Sequence, residues 1–247
     1  MTYAIMGLVL LFMAFILIYK AKLTKDTSHF FNLTNTTAMR GFWCIIVILV
    51  HIPAVYQNRI QDLMGSFAYI GVTFFFMTSA YGLKVGAKKN PDSTKVFWRR
   101  RLPKLLIPMF LVNVLTMVMH LIECKDISPL DLLSGILGLS YLRFKSVLIL
   151  GDYLLKIMLG LAIILFILAL NVSIALGNKV SLFLGRISYE VYLIHGAVFG
   201  LMATFMPGIN SGLFISLSIV ITVALSWVVN LMSRPVIKKV NSLLVSN

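Results

Sequence analysis

Acidic residues are scarce in this sequence: 8 Asp and Glu stand against 22 Lys and Arg, and charged residues of both signs make up only 12% of 247 positions. A water-facing domain of this size needs about 25% charged residues to cover its surface. A soluble globular exterior is therefore excluded, and the outside must face lipid. Cysteine is also nearly absent. Cys44 lies inside one apolar run and Cys124 at the end of another; neither fits a disulfide framework or a metal site, so both are read as structural. No internal repeat, soluble domain or low-complexity linker is visible. The net charge of +14 would suit nucleic acid, but the basic residues sit in short loops between apolar runs. That placement marks the cytoplasmic loops of membrane proteins, so no nucleic-acid partner is expected.

What the chain has is hydrophobic length. It is 60% hydrophobic, with a mean hydropathy of +0.96, and its apolar runs approach the ~20 residues that a helix needs to cross the hydrocarbon core. The expected fold class is all-α: a polytopic integral membrane helical bundle forming a single membrane domain over 1–247, with lipid as its surroundings. Seven spans are expected near 2–19, 40–56, 66–84, 104–122, 155–176, 187–206 and 212–232. The stretch 128–150 is apolar between Asp131 and Arg143 but short for a crossing, and is left open as a re-entrant or interfacial helix. The first run has no positive residue before it and Lys20, Lys22 and Lys25 after it, which argues for a retained helix rather than a secretory signal. Basic residues recur in alternate loops: 20–40, 84–104, the loop holding Lys179 and Arg186, and the tail with Arg234, Lys238 and Lys239. This alternation predicts an N-out, C-in topology.

Ionisable residues inside a span are expensive, so each is a candidate site. His51 lies in the expected second span, 11 residues after Arg40. At 100° per residue that spacing is three turns plus about 20°, so both side chains leave one face, about 16 Å apart along the axis. The alternative is an arginine that snorkels and a histidine that bonds a nearby carbonyl. The sixth span holds Arg186, Ser188, Tyr189, Glu190, Tyr192 and His195. Ser188, Tyr192 and His195 share a face at i, i+4 and i+7, and Glu190 is the one acid in these spans. His195 would lie about 14 Å from Arg186, near the depth of His51. A polar cavity or an interhelical hydrogen-bond knot would each account for this set. The third feature is the run Trp98 to Pro108, in which Arg101 and Lys104 are three apart on one face. Guanidinium and ammonium groups so placed suit phosphates; anchoring against anionic lipid would also use them.

Four segments carry a family resemblance. Thr37-Ala38-Met39-Arg40-Gly41-Phe42, followed by His51, has a basic residue, ten positions, then histidine. Gly71-Val72-Thr73-Phe74-Phe75-Phe76-Met77-Thr78-Ser79-Ala80-Tyr81 has Ala80 in place of a glycine. Arg101-Leu102-Pro103-Lys104, running on to Pro108, has lysine in the second basic place. The last, Leu184-Gly185-Arg186-Ile187-Ser188-Tyr189-Glu190-Val191-Tyr192-Leu193-Ile194-His195, is the strongest. Together these resemble the acyltransferase 3 family, multi-span membrane enzymes that O-acetylate surface polysaccharides, lipopolysaccharide and peptidoglycan. The resemblance covers a core of 34–232 with a shortened middle, and 1–19 is an extra N-terminal helix. The Trp-Tyr or Trp-Phe helix usual in the family has no clear counterpart in 124–176.

The resemblance implies a membrane O-acyltransferase, moving an acyl group, acetyl by preference, from acetyl-CoA or another acyl-CoA to a hydroxyl of a cell-surface glycan. No metal is expected. It implies a multi-pass protein of the inner (plasma) membrane, with polysaccharide biosynthesis proteins as partners. His51 would deprotonate the acceptor hydroxyl or relay the acyl group covalently. Arg40, Arg101 and Lys104 would hold the phosphates of coenzyme A. Glu190 and His195 would orient His51 or line the acceptor side. Two other readings stand beside it: a shortened, non-catalytic homologue in a polysaccharide assembly complex, and a proton-coupled transporter using its buried histidine and glutamate.

Overall fold

The computed structural model describes residues 1–25, 31–65, 68–89, 97–122, 158, 161–162, 164–166, 169 and 172–245. Its elements run α1 (Thr2–Ile18), β1 (Lys22–Leu23), α2 (Leu33–Val50), a 3-10 turn (Ala54–Tyr56), α3 (Arg59–Gly65), α4 (Ala68–Lys89), α5 (Phe97–Ile122), β2 (Ile174–Ala175), α6 (Lys179–Arg186), α7 (Ser188–Phe205) and α8 (Ser211–Val245). The architecture is an all-α helical bundle of a membrane protein. Four helical segments among the described residues are long and apolar enough to cross a membrane: α2, α3 with α4, α5, and α8. The bent pair α6–α7, broken by 71°, makes a fifth only when it is counted as one span. Part of the expected fifth span, 155–176 (residues 155–157, 159–160, 163, 167–168 and 170–171), the open stretch 128–150 and Cys124 lie outside the described residues.

α2 is the central helix, with 72% of its spanning window buried against 22% for α5. Its start moves the expected boundary from 40 back to Leu33, because Asn32 caps the helix by accepting the Asn35 N–H at 2.8 Å. Asn35, Thr36 and Thr37, which read as loop residues, are buried in the first turns. Asn35 accepts the Leu176 N–H at 2.7 Å, and the Thr36 hydroxyl returns to the Asn32 carbonyl at 2.8 Å. The helix stops at Val50 rather than 56. Pro53 cannot donate to the helical ladder and disfavours helical geometry just before it, so His51 is the C-cap and not a mid-helix residue.

The expected basic loop around Lys179 and Arg186 is instead helix α6. Asn178 makes it so: its Oδ1 accepts the N–H groups of Val180 and Ser181 at 3.0 and 2.9 Å, and the Ser181 hydroxyl accepts the Asn178 N–H at 3.2 Å. The same Asn178 donates from Nδ2 to the Ile16 and Tyr19 carbonyls at 2.7 and 3.1 Å. One buried side chain thus closes the end of α1 and opens α6. The ladder Lys22↔Ala175, Leu23↔Ile174 ties the adjoining segments. α1 turns Met6, Val9, Met13 and Ile16 inward. At 17 residues it is about 26 Å long, shorter than the hydrocarbon core.

α6 lies across α2 with no room for a side chain between them. A Cβ on Gly41 would overlap the Ser181 carbonyl oxygen, and one on Gly185 the Thr37 carbonyl oxygen. Both are glycine because backbone meets backbone there. At Ile187 the chain bends 71° into α7, so Arg186 and His195 do not share the straight axis expected of them. The remaining helices extend beyond their expected limits. α4 reaches Lys89, α5 starts at Phe97 and carries Pro103 and Pro108 within it, and α8 runs 35 residues through Pro235.

Candidate functional site

α7 climbs beside α2 after the bend and brings His195 to His51. The two imidazole centroids are 4.7 Å apart, with planes inclined at 53°. His51 Nδ1 lies 2.8 Å from the Val47 carbonyl oxygen, and His195 Nδ1 lies 3.2 Å from that of Val191. A carbonyl only accepts, so each Nδ1 carries the hydrogen, and in the neutral ring each Nε2 holds a free lone pair. The carbonyl bond that a bland reading of His51 requires is therefore present, and it also fixes the tautomer a base needs. His195 is buried among Tyr192 and Phe199, at centroid distances of 6.0 and 5.7 Å, whereas His51 is exposed.

The pair sits within the bundle. α7 continues ten residues past His195 to Phe205, about 15 Å further. After His51 the chain passes through the 3-10 turn Ala54–Tyr56: Tyr56 stacks on Phe214 at 3.8 Å, and its carbonyl accepts the Ser211 hydroxyl at 2.7 Å.

Arg40 lies at the other end of the α2 face. It is half-buried, donates from Nη2 to the Thr37 hydroxyl at 3.2 Å, and has a buried Nε with no partner. It lines a cleft of about 510 Å³ with Leu33, Thr34, Thr37, Leu182, Gly185 and Arg186. Two arginines and two threonines on one cleft are of a chemistry that suits a phosphate-bearing anion. Sequence reasoning assigned no such role to Arg186, because the contact depends on α6 folding back across α2. Arg101 and Lys104 are exposed on α5 and do not line this cleft. The Tyr189 hydroxyl donates to the Leu105 carbonyl at 2.9 Å, which sets their turn of α5 against the start of α7.

Glu190 is buried and turned away from the histidines. Its Oε1 accepts the Asn230 Nδ2 at 2.7 Å, while its Oε2 is buried without a partner. Five residues separate it from His195, placing the two about 140° apart around α7. Opposite it, α8 carries a buried polar ladder, Ser218, Thr222, Ser226, Asn230 and Ser233. Thr222 Oγ1, Ser226 Oγ and Asn230 Oδ1 have no partner. The four-residue spacing of the first four was visible in the sequence as a helical stripe.

Residues 33–142, 110 of the 247, match the family model described as an acyltransferase domain. The matched residues hold Arg40, His51, Arg101 and Lys104, whereas Arg186, Glu190 and His195 lie beyond them. No curated protein and no solved structure matches the chain.

Proposed function

We propose that this protein is a membrane-bound O-acyltransferase that moves an acyl group, acetyl by preference, from acyl-CoA to a hydroxyl of a cell-surface glycan. The observation that carries the reading is the His51–His195 contact, with His51 at the C-cap of the helix that carries Arg40 and its cleft, both within the matched residues 33–142. Phosphates of the donor would rest on Arg40 and Arg186, with Arg101 and Lys104 on the adjoining helix at the cytoplasmic side of the inner membrane. The thioester arm would follow the α2 face over the ~16 Å to His51. His51 Nε2 takes the proton of the acceptor hydroxyl as its oxygen attacks the thioester carbonyl. The tetrahedral intermediate collapses with cleavage of the C–S bond, and the proton passes from His51 to the departing thiolate. His195 positions the acceptor beside that nitrogen. Glu190, engaged by Asn230, acts on the packing of α7 against α8 rather than on the base.

The test is transfer of a labelled acetyl group from acetyl-CoA to glycan in membranes lacking related enzymes. Loss of transfer in His51→Ala is the expected result; full activity in that variant removes the assignment. One observation favours a second reading, a proton-coupled transporter: the buried Glu190 bonds Asn230 on an α8 stripe where the Thr222 and Ser226 hydroxyls have no partner. Proton-coupled uptake into vesicles, insensitive to acyl-CoA and lost in Glu190→Gln, would decide for it.

A further inference from the structure

We propose that the His51–His195 pair binds a single transition-metal ion of the zinc type between its two Nε2 atoms. Both rings already have the arrangement of metal-ligating imidazoles, in which the other ring nitrogen donates to a backbone carbonyl and fixes the tautomer. The separation also fits. Two imidazoles on one tetrahedral zinc, each bonded at ~2.1 Å, have ring centres about 5 Å apart; these stand at 4.7 Å and are tilted rather than stacked flat. Imidazole nitrogen suits zinc, copper and nickel and discriminates against magnesium and calcium.

His195 supplies a buried ligand and His51 an exposed one. Among the described residues no group of three or more His, Cys, Asp or Glu could hold a metal. The site therefore has two protein ligands, and solvent or a bound anion completes the shell. Such a site is exchangeable and is not a structural one. An ion seated there occupies the lone pair on which the proposed base depends, so zinc would inhibit acyl transfer. The binding itself stands independently of that reading.

The experiment titrates the purified full chain, carrying a histidine-free tag, with zinc chloride in a calorimeter. One ion per chain is expected. His51→Ala and His195→Gln should each weaken it by at least about 10-fold, since loss of an outer-shell partner alone costs that much. His29→Ala and His120→Ala should leave it unchanged. Copper(II) bound to the native chain should give electron paramagnetic resonance coupling to two nitrogens. Melting curves without zinc establish that each variant is folded. Zinc binding that survives both His51→Ala and His195→Gln, or a folded native chain that binds none, overturns the proposal. Acyl transfer absent with zinc binding intact would count against the function proposed above and not against the site.

Discussion

Replacing Asn178 should loosen two helices at once, and the structure gives the size of the effect. Its Oδ1 caps α6 through two backbone N–H groups, and its Nδ2 donates to two carbonyls at the end of α1. The residue is 2% exposed, so water does not take over these bonds. Loss of an N-cap costs about 1 kcal/mol, and each buried carbonyl bond contributes about another 1 kcal/mol. Asn178→Ala should therefore destabilise the protein by about 3 kcal/mol. Asn178→Ser keeps an N-cap acceptor and gives up the bridge, for a loss of about 2 kcal/mol. Asn178→Asp also keeps the cap, but sets a carboxylate oxygen against the Ile16 and Tyr19 carbonyls and should be no better than alanine. Unfolding in detergent, followed by circular dichroism, gives the differences, and hydrogen exchange of the α1 amides reports the release of α1 separately. If serine behaves as the native residue in both assays, the bridge to α1 contributes nothing and the reasoning fails.

Gly41→Ala and Gly185→Ala should each cost more than the 1–3 kcal/mol usual for overpacking, since the new methyl meets backbone that no rotamer change can move. Gly82→Ala and Gly86→Ala in α4, with nothing within 4 Å, should instead stabilise by about 0.5–1 kcal/mol, and detergent melting separates the two classes. Glu190→Ala leaves the Asn230 amide buried without its acceptor and should cost about 1–3 kcal/mol, while Glu190→Gln keeps that acceptor and should stay within about 1 kcal/mol of native. Equal losses in the same unfolding assay would show that the negative charge matters, not the hydrogen bond. Arg186→Gln should raise the KM for acyl-CoA about 10-fold with kcat little changed, as expected for loss of a charge-assisted phosphate contact; steady-state kinetics that move only kcat would take Arg186 out of the donor cleft.

The extent to which this was legible in the sequence follows the range of the forces involved. Apolar run length depends only on the local order of residues, so lipid embedding and the all-α class could be read from the chain. The boundaries were misread where a polar residue belongs to a helix because another segment caps or buries it. Asn35, Thr36 and Thr37 extend α2 by seven residues for that reason, and Asn178 turns an expected basic loop into α6. The cleft partner was hidden in the same way. Arg186 joins Arg40 only because Gly41 and Gly185 let two backbones touch, a contact between residues 144 positions apart. The sequence by itself determined that the chain is embedded in lipid, and it marked as candidates the few ionisable residues within its apolar runs, because a charge or imidazole in hydrocarbon is costly. Only the tertiary structure decided that His51 meets His195 while Glu190 bonds Asn230, because the 71° bend between α6 and α7 and the packing of α7 against α2 and α8 set those contacts.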